Sequence, residues 1–527
     1  MNAVRATRAR NRSTLYAFLR KHQLLIIVLC IGIAVRLFEF GSVPPGLNAD
    51  EASTGYDAFA LLHHGVDRNG FHNPVMFVSW GSGTYALPGY LAMPFYLLFG
   101  VSVASLRAVN LLAGIVSLLA FYALARKSGD KRLALIATFL LAMSPWHIMI
   151  SRWALDSNLL PALFLLAVFF LATAGATPRS LLWAAVFFAL TLYAYGTAYV
   201  VTPLFLALAS LSLLWYRPRP WKRIAQAAAI LVIVALPIAL YLVVNEFNLP
   251  SVKTPFLSIP RLTGVPRYHT LATVFTGNGL SALWENLRTF KRLLFSGDDG
   301  LIWNAIPGFG YMYAFGLPLA LLGITVTVSR RKFWRSPVEF FFLAWLVASV
   351  VLAASEPVNI NRINIVFLPM IFFAAVGICA VATSRVILAA IIAYHCLAFL
   401  SFTHTYFGSY RAQASPAFFA SFGDAINKAA SGTSGPICIT ALVNEPYIFV
   451  LFYRKTDPHI FLRSVHYERP RAAFRGVSSF GRYTFGVDRC DAAMTQAYVV
   501  DQSEERVINK ARFSTEDVGR YVVALRR

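Results

Sequence analysis

The sequence predicts a polytopic α-helical membrane protein of about 11 transmembrane helices, followed by a small C-terminal α+β extracytoplasmic domain. Three observations carry this. Long apolar runs recur from Leu24 to Thr403, and several exceed the roughly 18 residues that suggest a bilayer span. Charged residues make up only 13% of the 527-residue chain, against 57% hydrophobic residues, about half the charge of a soluble domain. The basic residues fall in short clusters between the apolar runs. A β-barrel would instead show short alternating segments.

Residues 1–23 form a basic, cytoplasmic N-terminus carrying Arg5, Arg8, Arg10, Arg12, Arg20 and Lys21. The apolar run Leu24–Phe40 is long for a signal peptide, and no small-residue cleavage pattern precedes "RLFEFGSVPPG", so it reads as an uncleaved first helix. The expected spans are 24–40, 103–125, 133–150, 159–175, 181–195, 198–215, 224–244, 310–328, 338–354, 363–382 and 386–403. The clusters "ARKSGDKR" (Ala125–Arg132), "RPRPWKR" (Arg217–Arg223) and "SRRKFWR" (Ser329–Arg335) then all fall on the cytoplasmic side with the N-terminus. The net charge of +23 is thereby a topology signal, and nucleic acid is not an expected partner. The outer side receives 41–102, 151–158, 245–309, 355–362 and the tail from 404 to 527. Tyr85–Gly100 is apolar but would break the charge pattern as a span, so it is placed as an interfacial helix.

From about Tyr406 the hydrophobicity becomes patchy. Gly435–Val443, Tyr447–Tyr453 and Arg520–Leu525 read as strands or short buried elements. Ser415–Gly432 reads as an amphipathic helix that ends at Gly432. Roughly 120 residues suffice for a separate core. No internal repeat or long low-complexity linker is evident. Cys30, Cys379 and Cys396 lie in apolar helices, where a thiol is usually a small buried side chain. Cys438 and Cys490 both fall in the outer domain, where an oxidising compartment allows a disulfide; the spacing does not show whether they meet.

Candidate chemistry begins at "PPGLNADEAS" (Pro44–Ser53), where Asp50 and Glu51 stand side by side among only 24 acidic residues. One reading is structural: Asn48 caps a helix and Glu51, three residues on, completes a capping box. "DEASTGYDAFALLHH" then forms an interfacial amphipathic helix. The functional reading gains weight from other segments. "PWHIMISRWALDSN" (Pro145–Asn158) carries Arg152 and Asp156 at i, i+4, either a surface ion pair or a second acidic group near the membrane. Arg362 opens a late span on the side where cations are scarce, as a snorkelling side chain or a phosphate partner. Loop 245–309 adds Lys253, Arg261, Arg267, Arg288, Lys291 and Arg292.

The runs "PPGLNADEASTGYDAFALLHHGVDRNG", "LPGYLAMPFYLLFGVSVASLRAVNLLAGIVSLLAFYALARK" and "SPWHIMISRWALDSN" resemble bacterial protein-mannosyltransferase-like glycosyltransferases of the GT-C fold. These are related to dolichyl-phosphate-mannose:protein mannosyltransferases and to the aminoarabinose transferase of lipid A. The resemblance is strongest over residues 30–175 and weaker through 224–382; the tail run "EPYIFVLFYRKTDP" is also similar to the outer domain of bacterial relatives. It implies transfer of a sugar from a polyprenyl-phosphate carrier to a glycan, lipid or protein acceptor on the outer face of the bacterial cytoplasmic membrane. By resemblance Asp50 matches the first-loop catalytic acid, Glu51 its companion, Asp156 the acidic residue of the next outer loop, and Arg362 a basic residue near the carrier phosphate. Ile363 follows where relatives often carry a tyrosine.

The chemistry fits these residue types. An acceptor hydroxyl is a poor nucleophile, and a carboxylate within hydrogen-bond reach can take its proton as the new bond forms. The leaving phosphate needs a cation on its oxygens, from Arg362 and Arg267 or from a metal. A single displacement inverts the anomeric carbon. Asp50 and Asp156 are the candidate ligands for Mg2+ or Mn2+; His63, His64, His72 and His147 are further candidates, each more often structural. Two rivals use other features. A glycan ligase or polymerase would take a diphosphate-linked donor and rely on arginine and histidine in its large loop. A secondary transporter would bury charge near the bilayer midplane; a non-catalytic scaffold is a third reading. The position of Asp50 and Glu51 favours the transferase.

Overall fold

The computed structural model describes residues 2–214, 220–264, 266, 279–330, 336–472 and 474–527. Helix α1 (Asn2–Leu37) carries the basic start into the first apolar run without a break. The following loop holds α2 (Ala49–His64), the strand pair β1 (Met76–Phe77) and β2 (Thr84–Tyr85), and α3 (Leu87–Phe99). Then come α4 (Val103–Arg126), α5 (Lys131–Met143), α6 (Pro145–Ile150), α7 (Leu160–Thr173), α8 (Ser180–Thr191), α9 (Ala198–Ser210) and α10 (Trp221–Glu246). A hairpin of β3 (Val252–Lys253) and β4 (Ser258–Ile259) precedes α11 (Gly279–Ser296), and α12 (Gly316–Ser329), α13 (Pro337–Ser355), α14 (Ile360–Ile363), α15 (Phe367–Val381) and α16 (Arg385–Phe407) complete the helical part.

Each segment expected to span contains a helix, but helix length supports fewer crossings. Among the described residues, six helical stretches are long and apolar enough to cross a membrane: Val103–Arg126, Asp156–Thr173, Trp221–Glu246, Pro337–Ser355, Ile360–Val381 and Arg385–Phe407. The apolar helices α3, α8, α9 and α12 have only 12–14 residues, about 20 Å at 1.5 Å per residue against a core of about 30 Å. The expected continuous span 133–150 is broken at Ser144, which is extended (φ −63°, ψ 122°). Pro145 disfavours the helical conformation there, and Ser144 Oγ accepts from His147 N to start α6.

The helical core is stacked through aromatic rings. Phe342 lies 3.9 Å from Phe372 and Phe164 lies 4.7 Å from Trp345, joining α7, α13 and α15. Helices α12 and α15 cross at backbone contact. A Cβ on Gly323 would stand 1.8 Å from Phe373 O, and one on Gly377 2.1 Å from Leu319 O. Without a hydrophobic driving force between helices in lipid, such close approach through small residues is what holds two helices together. By contrast, α10 and α16 leave Val232, Ile233, Leu236, Val386, Leu397 and Leu400 exposed, as lipid-facing helices of a multi-pass membrane protein do.

The tail begins with α17 (Ser409–Ala414) and α18 (Phe422–Gly432). It continues through β5 (Ile437–Ile439), α19 (Pro446–Arg454), α20 (Pro458–Ser464), β6 (His466–Tyr467), β7 (Val477–Phe480), β8 (Tyr483–Phe485), β9 (Ala497–Asp501), β10 (Phe513–Val518) and β11 (Tyr521–Arg526). The strands form one sheet in the order β10-β11-β9-β5-β8-β7-β6, with β5 parallel to both neighbours and the other pairs antiparallel. Cys438 on β5 is disulfide-bonded to Cys490, with Cα atoms 5.9 Å apart. Two local expectations are narrowed. Of the two readings of Tyr447–Tyr453, the short buried element holds and the strand does not: the run is helical, since a short run buried on every side has no legible period and Pro446 at the first helical turn favours the helix. The helix expected from Ser415 starts only at Phe422, because Ser421 adopts a left-handed φ of 66°.

Gly323→Leu should force α12 and α15 apart and cost about 3 kcal/mol, seen as a lower unfolding midpoint of the detergent-solubilised protein.

Candidate functional site

The first loop is anchored by one buried ion pair. Asn48 caps α2, accepting from Asp50 N, and Glu51 closes the capping box by accepting from Asn48 N at 3.1 Å. The same Glu51 carboxylate accepts from Arg107 Nε at 2.8 Å, from Arg107 Nη2 at 2.9 Å and from Ala154 N at 2.7 Å. Both side chains are fully buried. Arg107, on the first turns of α4, also donates to Pro44 O and Gly46 O. The oxygens of Glu51 are thus committed to the protein. Glu51 holds the loop, and the expectation that it acts directly in catalysis gives way to this anchoring role. Helix α2 is correspondingly buried on most sides rather than interfacial, because α3 and α19 cover it.

Asp50, its neighbour, is only half-buried. Oδ1 accepts from Trp80 Nε1 at 3.2 Å, and Oδ2 has no hydrogen-bond partner among the described residues. The adjacent acids therefore divide: one is consumed by packing, and the other presents an oxygen.

The Ala154 contact draws the 151–158 segment against α2. Asn110 Nδ2 fixes it further by donating to Trp153 O and Leu155 O. Arg152 does not pair with Asp156. Its guanidinium is buried and donates to Val35 O, Arg36 O, Glu39 O and Val43 O. It caps the end of α1, where unpaired carbonyls and the negative dipole end favour a cation, so its expected place with an acceptor or metal is corrected. Asp156 opens the 3-10 turn Asp156–Leu159 ahead of α7 and is mostly buried. Burial raises the Tyr85 phenol well above its ordinary range, with Tyr199 and then the Asp156 charge adding to it. Tyr85 packs its ring against Tyr195 at 5.7 Å and Tyr199 at 6.4 Å.

One turn further, Asn364 Nδ2 donates to Ser157 O at 2.7 Å, which joins this segment to the turn carrying Arg362. That arginine is half-exposed and donates through Nη1 to Pro357 O, leaving further donors for a ligand. Asp299 Oδ2 secures the turn by accepting from Ile360 N and Asn304 Nδ2. Glu356 lies beside Arg362, buried, with Oε1 lacking a hydrogen-bond partner among the described residues. Burial pushes its carboxyl up to about 8 against the opposing pull of the Arg362 charge. Arg267, the other expected phosphate ligand, lies outside the described residues.

Behind Asp50 a second polar cluster lies between the first loop and the tail. Arg68 pairs with Asp57 at 3.3 Å, donates to Ser79 Oγ at 2.8 Å and to Ser53 Oγ, and stacks over the Trp80 ring at 4.9 Å. Asp67 is buried beside it and held up at about 7 by burial and by the Asp57 charge. Burial likewise raises Asp57, in opposition to Arg68.

No group of three or more His, Cys, Asp or Glu side chains able to hold a metal occurs among the described residues. His147 is buried with Nδ1 2.6 Å from Arg36 Nη2, and His64 lies 3.7 Å from Asp457. Sequence reasoning passed over Trp80, Arg68 and the Tyr85, Tyr195, Tyr199 cluster. Arg107 left a signal, an arginine on the first turns of an otherwise apolar helix, and "YAYGTAY" another, a tyrosine repeat at an interhelical turn.

Residues 86–258, about a third of the chain, match the family model described as dolichyl-phosphate-mannose-protein mannosyltransferase. No curated protein sequence matches. Among solved structures, ArnT from Cupriavidus metallidurans bound to undecaprenyl phosphate superimposes with a TM-score of 0.60 at 13% identity, covering 95% of this chain and 98% of that one. The Archaeoglobus fulgidus oligosaccharyltransferase in complex with Zn and sulfate gives 0.52 at 17% identity, covering 82% and 61%. The same enzyme tethered to an acceptor peptide containing the NVT sequon gives 0.51 at 14% identity, covering 92% and 70%. At these identities the likeness is one of fold, and the fold is GT-C, as the sequence resemblance implies.

Two outcomes follow from the geometry. Glu51→Gln leaves the Arg107 cation buried without its counter-charge and should destabilise the protein by about 3–5 kcal/mol, whereas Asp50→Asn should leave the unfolding midpoint nearly unchanged. Glu356 carries a raised folded value, so its contribution to stability is full below its ordinary 4.5 and declines as pH rises toward about 8. Glu356→Gln should therefore melt increasingly above the parent protein as pH is raised from 5 to 8.

Proposed function

We propose that this membrane protein of the GT-C fold transfers a monosaccharide from a polyprenyl-phosphate donor to an acceptor hydroxyl, with inversion at the anomeric carbon. The observation that carries the reading is the state of Asp50: a half-buried carboxylate with one oxygen held by an indole and the other uncommitted. That is the disposition a general base requires. Support also comes from the ArnT structure, which shares the fold and binds undecaprenyl phosphate.

In this reading Asp50 takes the acceptor proton as its oxygen attacks the anomeric carbon. The bond from that carbon to the phosphate breaks, and the electron pair leaves with the polyprenyl phosphate. Arg362 meets the phosphate oxygens as their charge grows. Its turn is tied by Asn364 and Ser157 to the Asp156 turn, and that turn by Ala154 and Glu51 to Asp50. Base and phosphate clamp are thereby parts of one hydrogen-bonded frame. Asp156 is the second acidic group, for acceptor hydroxyls or, with Asp50, for Mg2+ or Mn2+, hard cations that take carboxylate oxygens. The site faces outward from the cytoplasmic membrane of a bacterium, with the N-terminus and the basic clusters inside and the tail outside.

Asp50→Asn should lower turnover about 10²-fold or more in transfer from a labelled polyprenyl-phosphate sugar, with the fold intact by melting. Parent-level turnover in that variant would refute the assignment. Arg362→Ala should mainly raise the KM for donor.

A further inference from the structure

The tail domain packs on the first loop at several places, and one of them, Trp80, adjoins Asp50. Its indole N–H is the only hydrogen-bond donor to the Asp50 side chain among the described residues. The other sides of that ring are set largely from elsewhere. Arg68 lies over one face at 4.9 Å. Tyr447, on α19 of the tail, meets it edge-on at 6.1 Å and 89°. The backbone around it is taken up by the segment ahead of β7: Arg475 N donates to Trp80 O at 3.1 Å, and Arg475 Nη2 donates to Ser79 O at 3.1 Å and Asn69 Oδ1 at 2.6 Å. Gly81 pairs with Phe474 as an antiparallel bridge. A Cβ on Gly81 would come within 2.9 Å of Ala472 O, at a φ of 120° that other residues rarely adopt.

Ser79 itself sits at a left-handed φ of 52°. Such a conformation persists where the surroundings over-determine it. Here they do: Ser79 Oγ meets Ser53 and Arg68, and Ser79 O accepts from Arg475. Trp80, Tyr447, Ser79 and Arg68 are all nearly or fully buried, so no solvent competes for these contacts.

We propose that the C-terminal domain is a positioning element for the base: Tyr447 and Arg475 fix Trp80, and Trp80 fixes the rotamer of Asp50. This rests on the reading of Asp50 as the base. A carboxylate at a helix start has several low-energy rotamers, and an N–H held from two sides selects one of them. The tail then acts on turnover without touching the acceptor, and Trp80, Tyr447 and Arg475 are positioning residues rather than catalytic ones.

The test is a double-mutant cycle on the full-length protein in detergent or nanodiscs, assayed with a labelled polyprenyl-phosphate sugar. Trp80→Phe keeps the ring and removes the N–H. It should lower kcat about tenfold while the donor KM stays within about twofold. Arg475→Lys should lower kcat in the same direction, and the two together should cost little more than either alone. In the Asp50→Asn background neither substitution should change the residual kcat by more than about twofold. Melting curves check that each variant folds; Tyr447→Leu replaces Arg475→Lys if the latter does not. Equal losses in both backgrounds would show a role in stability of the fold only and overturn the proposal, as would parent-like kcat in Trp80→Phe. A fully active Asp50→Asn would overturn the base itself, and that result is distinct from either.

Discussion

The buried pair of Glu51 and Arg107 is the contact on which the rest of the site depends. In a chain with so little negative charge, one carboxylate gathers the helix cap of α2, the first turns of α4 and the backbone at Ala154. Removing two charges from water is expensive, and their attraction offsets that cost only when every lone pair and N–H is satisfied. Arg107 and Glu51 meet this condition by recruiting backbone carbonyls and amides as well as each other. The consequence is geometric. The N-terminus of α2 is fixed relative to two other segments, so the carboxylate next in the chain stands at a defined place.

The same logic recurs along the site. Arg152 draws the turn before α7 onto the end of α1, Asn110 holds its carbonyls, and Asn364 extends the frame to the Arg362 turn. Side chains that the sequence offers as reactive are mostly fasteners here. In a membrane protein such bonds do much of the holding, because lipid supplies no hydrophobic force between helices. The groups left partly uncommitted, Asp50 and Arg362, are conspicuous against this background. A frame of fasteners around two available charges is a rigid support of the kind a displacement at a lipid-borne phosphate needs.

The tail adds a second layer. Arg68, Asp57 and Asp67 form a buried polar cluster between α2 and the tail, and Trp80 couples that cluster to Asp50. Helix α19 lies directly on α2, with Tyr56 Oη donating to Thr456 O and Phe452 against Gly55. The domain is therefore continuous with the first loop rather than an appendage to it.

By itself the sequence determined the apolar spans, the clustering of basic residues between them, the change of character near Tyr406, the capping box at Asn48 and Glu51, and the three segments from which the site is drawn. These are local: hydropathy, cap chemistry and residue type are legible in a window of a few residues. Tertiary structure alone decided which member of the acidic pair is consumed, because that depends on Arg107, 56 positions away in the chain. It also decided that Arg152 caps α1 rather than pairing with Asp156, and that Trp80 stands between the tail and Asp50. Each of these is a contact between segments far apart in sequence, and a hydrogen bond or ion pair across such a distance has no local signature: its partner exists only once the chain has folded.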